Sequence, residues 1–117
     1  MPREFARSGI RLHYPDHWTL ETESLADGWA VSFNGSATSF VLLSFHEDEA
    51  NPARLADNAL QSMREEYAGL EVNPTVESIA GAPAVGFDVH FLSLDLPVTC
   101  WIRGVPAEEG GLLVLSQ

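Results

Sequence analysis

Four histidines and a run of carboxylates are the groups in this 117-residue chain whose types and spacing could do chemistry. His13, Asp16 and His17 crowd one strand end, and His46-Glu47-Asp48-Glu49 follows another. Imidazole nitrogens and carboxylate oxygens so placed suit a divalent metal, provided the two loops meet in space. A competing reading leaves His13 solvated, opposite the apolar Ile10, Leu12 and Tyr14 face. It gives Glu47 to Glu49 to the start of a following helix, where acidic groups stabilise the dipole by about 0.3–1 kcal/mol. A hydrolytic triad written from Asp88, His90 and a serine fails on geometry. Two-residue spacing sets the first two about 7 Å apart along a strand, and no serine lies in a nucleophile-elbow context. No catalytic signature emerges, so the expectation is a non-enzymatic protein with no cofactor.

Other residue types narrow the chemistry further. Seventeen acidic residues face six arginines, a net charge of −11 that repels a phosphate backbone and argues against nucleic acid as a partner. All six basic residues are arginine, so a phosphate-loop lysine and a Schiff-base lysine are both impossible. Cys100 has no second cysteine to pair with and sits in an apolar strand pattern, as a small buried hydrophobe does. Asn34-Gly35-Ser36 matches a glycosylation sequon but reads as a turn. Trp101 and Arg103 share a strand face, and both residue types are enriched at binding hot spots, so they form a candidate protein-contact patch.

The elements that must position these groups follow from periodicity. Ile10, Leu12 and Tyr14 alternate with polar residues until Pro15-Asp16, and Trp18, Leu20 and Thr22 do the same. Trp29, Val31 and Phe33 continue to Asn34-Gly35, and the run from Thr38 to His46 is apolar on both faces, as a central strand is. From Asn51 the period becomes helical. Asn51 suits the N-cap and Pro52 the first helical position, Leu55, Ala56, Ala59, Leu60, Met63 and Tyr67 share one face, and Gly69 suits the stop. Leu70 to Ile79 returns to period two, with Pro74 marking a sheet edge or bulge. Ala80-Gly81-Ala82-Pro83 turns into the Val85, Phe87, Val89, Phe91 strand. Leu94 to Val105 alternates next, and Glu108-Glu109-Gly110-Gly111 leads into a last strand. Seven or eight strands in hairpin order around one main helix predict a single α+β domain, an antiparallel sandwich.

Apolar residues make up 45% and charged residues 20%, enough to build one core. No run approaches the roughly 20 apolar residues that span a bilayer, and the N-terminus carries no signal-like stretch. A cytoplasmic location is therefore expected.

Gly9-Ile10-Arg11-Leu12-His13-Tyr14-Pro15-Asp16-His17-Trp18 resembles the strand, Tyr-Pro, small turn and Trp entry of the PsbP-like superfamily. Ile79-Ala80-Gly81-Ala82-Pro83-Ala84 is similar to the glycine-proline turn before that fold's long hairpin. The group includes the PsbP subunits of photosystem II, a nuclear-import factor that binds the Ran GTPase, and bacterial DcrB-type proteins. The resemblance implies an antiparallel sheet between helices, with a C-terminal helix after the last strand. It also implies work by docking onto other proteins. It carries over no catalytic residue.

Leu112-Leu113-Val114-Leu115 is apolar on both faces, and one helix is little to cover it. The expectation is a chain truncated at its C-terminus, or one that hides Leu113 and Leu115 in a homodimer. Burial of a few hundred Å² is worth several kcal/mol at about 25 cal/mol per Å², before association costs. The function expected on sequence is a protein-binding or scaffolding domain with a partner of unknown identity. The alternative is a small-ligand or divalent-metal module built on the histidine and carboxylate loops.

Overall fold

Period-two alternation dominates the chain, and nine strands result among the described residues. They are β1 (Arg3–Arg7), β2 (Ile10–Tyr14), β3 (Thr19–Leu25), β4 (Gly28–Asn34), β5 (Phe40–His46), β6 (Glu71–Ile79), β7 (Ala82–Ser93), β8 (Leu96–Ala107) and β9 (Gly110–Ser116). A single helix, α1 (Pro52–Glu66), interrupts them among the described residues. The structure is a computed structural model, and it describes residues 2–8, 10–35, 39–49, 51–79, 81–107 and 110–117. The expected turn residues Ala80, Glu108 and Glu109, the strand start at Thr38 and the sequon's Ser36 lie outside the described residues.

Seven strands pair antiparallel in the order β3-β4-β5-β9-β8-β7-β6, and β1 and β2 form a separate two-stranded ribbon. This corrects the expected α+β sandwich: the fold is dominated by sheet, and its second cover is a β ribbon rather than a helix. The physical reason lies at the N-terminus. Arg3-Glu4-Phe5-Ala6-Arg7 has a single large apolar side chain and gives a weak period-two signal, yet it pairs with β2 in full register from Arg3↔Tyr14 to Arg7↔Ile10. β5 and β9 are central as their apolar runs demand, and β6 is an edge strand, which tolerates Pro74.

Ladder partners share a face, so the register sorts the core into two. On one face, Leu60 and Ala56 of α1 pack with Val89, Cys100 and Ile102, and half-buried Leu113 and Leu115 join them. On the other, Trp29, Val31, Phe33, Leu43, Phe45 and Leu112 form a cluster that Phe5, Leu12 and Tyr14 of the ribbon cover. Phe5 lies 5.5 Å from the Trp29 ring and 5.8 Å from Phe33, and Tyr14 lies 4.8 Å from Phe33.

Helix α1 starts as its sequence demands. Ala53 N–H donates to the Asn51 side chain at 3.0 Å, Pro52 supplies the preset φ, and Gly104 of β8 lets the Pro52 backbone sit on the sheet, where a Cβ would collide with its carbonyl. The helix ends at Glu66, earlier than Gly69 suggests. Tyr67 is already extended, and its ring turns onto Phe91 at 4.6 Å. The final strand is also less bare than expected, because α1 lies over β8 and β9 and half-buries Leu113 and Leu115.

Candidate functional site

The two loops expected to share a metal lie on opposite sides of the sheet. His13, Asp16 and His17 belong to the ribbon and its exit turn, and all three are exposed. His46 shares a face with Ser44, opposite Leu113 on the helix side, and Glu47 is exposed beyond it. Among the described residues, no three His, Cys, Asp or Glu side chains gather closely enough to hold a metal ion.

His46 is instead the middle of a hydrogen-bonded series. Its Nδ1 lies 2.9 Å from Asp27 Oδ2, and its Nε2 lies 2.9 Å from Ser44 Oγ. The order carboxylate, imidazole, hydroxyl is that of a serine hydrolase. Nucleophilic attack further requires an accessible hydroxyl with oxyanion donors facing the same point. Ser44 is 7% exposed, and the 330 Å³ hollow beside Asp27 and His46 is lined by Glu49, Asn58 and Ser62 rather than by Ser44. The series satisfies its own polar atoms and ties the β3–β4 turn to β5. Sequence reasoning missed it, although Ser44 and His46 two residues apart on one strand were the visible half.

Arg103 is not a surface contact. It is 1% exposed, and each of its five N–H donors has an acceptor. Nε and Nη2 donate to Glu77 Oε2 at 3.2 and 3.1 Å, Nη2 to Asp88 Oδ1 at 2.8 Å, and Nη1 to the Phe87 and Ile102 carbonyls at 3.1 and 2.9 Å. The guanidinium thereby crosses from β8 over β7 to β6, opposite Gly86, whose missing side chain leaves room for close backbone approach. The Trp101 ring caps it at 4.3 Å and remains 38% exposed. Asp88 is thus committed to Arg103, and His90 pairs with Thr99 at 3.0 Å. Cys100 is buried, and desolvation pushes its thiol above the usual value, against a smaller opposing effect of a backbone hydrogen bond at Trp101. Such a thiol is a poor nucleophile.

An apolar groove of about 580 Å³ opens on the ribbon side. Ile10 and Leu12 of β2 form one wall, Val105 of β8 and Val114 of β9 lie in the floor, and Ile79 with Ala82 closes the far side. Part-exposed Trp101 also lines it, and Ser8 and Arg11 line it from the ribbon. The groove exists because the ribbon packs over β4 and stops short of β7 and β8, leaving the sheet between them uncovered. Ser8, at a left-handed φ of 54°, accepts from Trp29 Nε1 at 3.1 Å and holds the ribbon's turn there. Its volume lies within the roughly 300–1,000 Å³ of ligand sites. Of the candidate metal and protein-contact residues read from sequence, Trp101 alone lines it.

No family model and no curated protein matches the sequence. The fold is similar to the crystal structure of PA94 from Pseudomonas aeruginosa, a protein of unknown function described as a candidate regulator. The TM-score is 0.51 at 15% identity, over 98% of this chain and 81% of that one. At that identity the likeness shows the fold alone. Among the described residues, no helix is long and apolar enough to cross a membrane.

Proposed function

We propose that this chain is a non-enzymatic protein-binding module whose working surface is the groove between the β1–β2 ribbon and strands β8 and β9. One observation carries the reading: a hollow of about 580 Å³ is apolar and open, with a part-exposed tryptophan in its lining. Tryptophan beside a desolvated pocket is the usual composition of a binding anchor. The polar groups that would be needed for chemistry are occupied elsewhere, as the Asp27, His46, Ser44 series and the Arg103 cluster illustrate. The resemblance of the Tyr14-Pro15 and Trp18 entry to PsbP-like proteins belongs to the same proposal, since members of that group work by docking.

Ala82 lines the groove and is partly accessible, so Ala82→Phe should fill it. Tagged wild type and this variant, each checked for folding by thermal melt, are used to capture proteins from the source lysate. The expected result is a partner enriched by wild type over an acidic control protein and lost with the variant. Equal capture by both would place the working surface elsewhere, and enrichment of nothing over the control would count against protein binding altogether.

A further inference from the structure

The groove's two sides differ in charge, and the difference runs against the rest of the molecule. Arg3, Arg7 and Arg11 outnumber Glu4 on the β1–β2 ribbon, giving it a formal charge of +2. Residues 16–117 hold the other 16 acidic groups against Arg54, Arg64 and Arg103, a formal −13. Arg103 is buried and spent on Glu77 and Asp88, so it adds nothing to the outward field of the groove. Arg11 is 74% exposed, lines the groove, and shares its charge with Glu4 at 2.8 Å. Arg7 lies with its guanidinium 5.3 Å over the Trp29 ring, on the turn side of the same ribbon. One groove-lining arginine, on a ribbon of net positive charge, therefore flanks an apolar floor on a protein that is otherwise acidic.

We infer that the groove takes a peptide segment whose apolar side chains are flanked by aspartate or glutamate. The inference rests on the protein-binding reading above and adds the chemistry of the partner. Half-buried Ile10, Leu12, Ile79 and Val114 supply apolar area to bury, while Arg11 supplies the sign of the flanking charge. An acidic segment is repelled by the body of the chain and attracted by the ribbon, so the field itself directs it to the groove. A basic segment would be drawn to the acidic surface instead and held there without a pocket.

Three peptides with one leucine-valine pattern, flanked by Glu, Gln or Lys and carrying a charge-neutral dye, test this by fluorescence anisotropy. At about 0.15 M salt, where a screening length of about 8 Å mutes the distant acidic groups and leaves Arg11 in reach, the Glu peptide should bind severalfold more tightly than the Gln peptide, and the gap should close near about 1 M salt. Glu4→Gln should tighten the Glu peptide severalfold and Arg11→Gln weaken it severalfold, both leaving the Gln peptide unchanged. Equal binding of the Glu and Gln peptides, or tightest binding of the Lys peptide, would overturn the charge inference while sparing the groove. Failure of all three to bind, or binding undiminished in Ala82→Phe, would overturn the groove reading and the inference with it.

Discussion

Helix α1 covers β7, β8 and β9 on one face, whereas the β1–β2 ribbon covers β4 on the other, and the two covers leave different kinds of surface. On the helix side, a 15-residue amphipathic element lays Leu55, Ala56 and Leu60 into the sheet, and its margins keep two smaller hollows, one of about 330 Å³ beside the bonded Asp27 and His46 and one of about 320 Å³ lined by Ala56, Val76 and Phe87. On the ribbon side, a narrow two-stranded cover seals the aromatic cluster around Trp29 and Phe33 but stops before β8. What remains open there is apolar. Polar groups that satisfy each other stabilise a fold, while uncovered apolar area offers free energy to an incoming partner.

The largest test of that contrast lies under the groove's edge. Arg103→Ala strands the Glu77 and Asp88 carboxylates and removes the platform beneath Trp101. Both carboxylates are about one-third exposed and can turn to water, which holds the expected loss near 3 kcal/mol, at the low end for a broken buried pair. Urea denaturation would read it, and an unchanged midpoint would mean the cluster is dispensable. A smaller effect breaks the helix cover alone. Asn51→Ala removes the cap on Ala53 N–H and should cost about 1 kcal/mol, with groove binding unaltered. Loss of both together would show that the two faces are not independent.

The smallest effect concerns the β7–β8 turn, where Leu94 and Asp95 sit at φ of 52° and 64° and Leu94 is 94% exposed. Both central positions of such a tight turn favour Asn or Gly, and an exposed leucine gains nothing there. Leu94→Asn should raise stability by about 0.5–1 kcal/mol in a thermal melt, because asparagine tolerates the left-handed region better. A lower melting temperature would mean that the leucine side chain packs in solution.

Period-two alternation made β2, β3, β4, β6, β7 and β8 legible, continuous apolar runs did so for β5 and β9, and Asn51-Pro52 announced the helix by its capping chemistry. The ribbon's first strand was not legible. Phe5 is its one large apolar residue, and its pairing shows only in the Ser8 turn and in the complementary Glu4 and Arg11 that the register brings near one another. Missing β1 hid the groove, since one wall of it belongs to the ribbon. Arg103 reads as a surface residue on a strand with Thr99 and Trp101, and only the register shows it opposite Gly86 and between two carboxylates. The Asp27, His46, Ser44 series likewise needs the β4–β5 pairing, which puts Gly28 opposite His46 and so brings Asp27 beside the ring.

Partner entry on the ribbon side can be read directly from the three tryptophan indole N–H signals in a nitrogen-15 correlation spectrum. Trp101 lines the groove, Trp29 is held beneath the ribbon by Ser8, and Trp18 lies beside Gly35. On titration with the Glu-flanked peptide, the Trp101 signal should move and saturate while the Trp18 signal stays in place. Saturable binding that leaves the Trp101 signal unmoved would contradict the account.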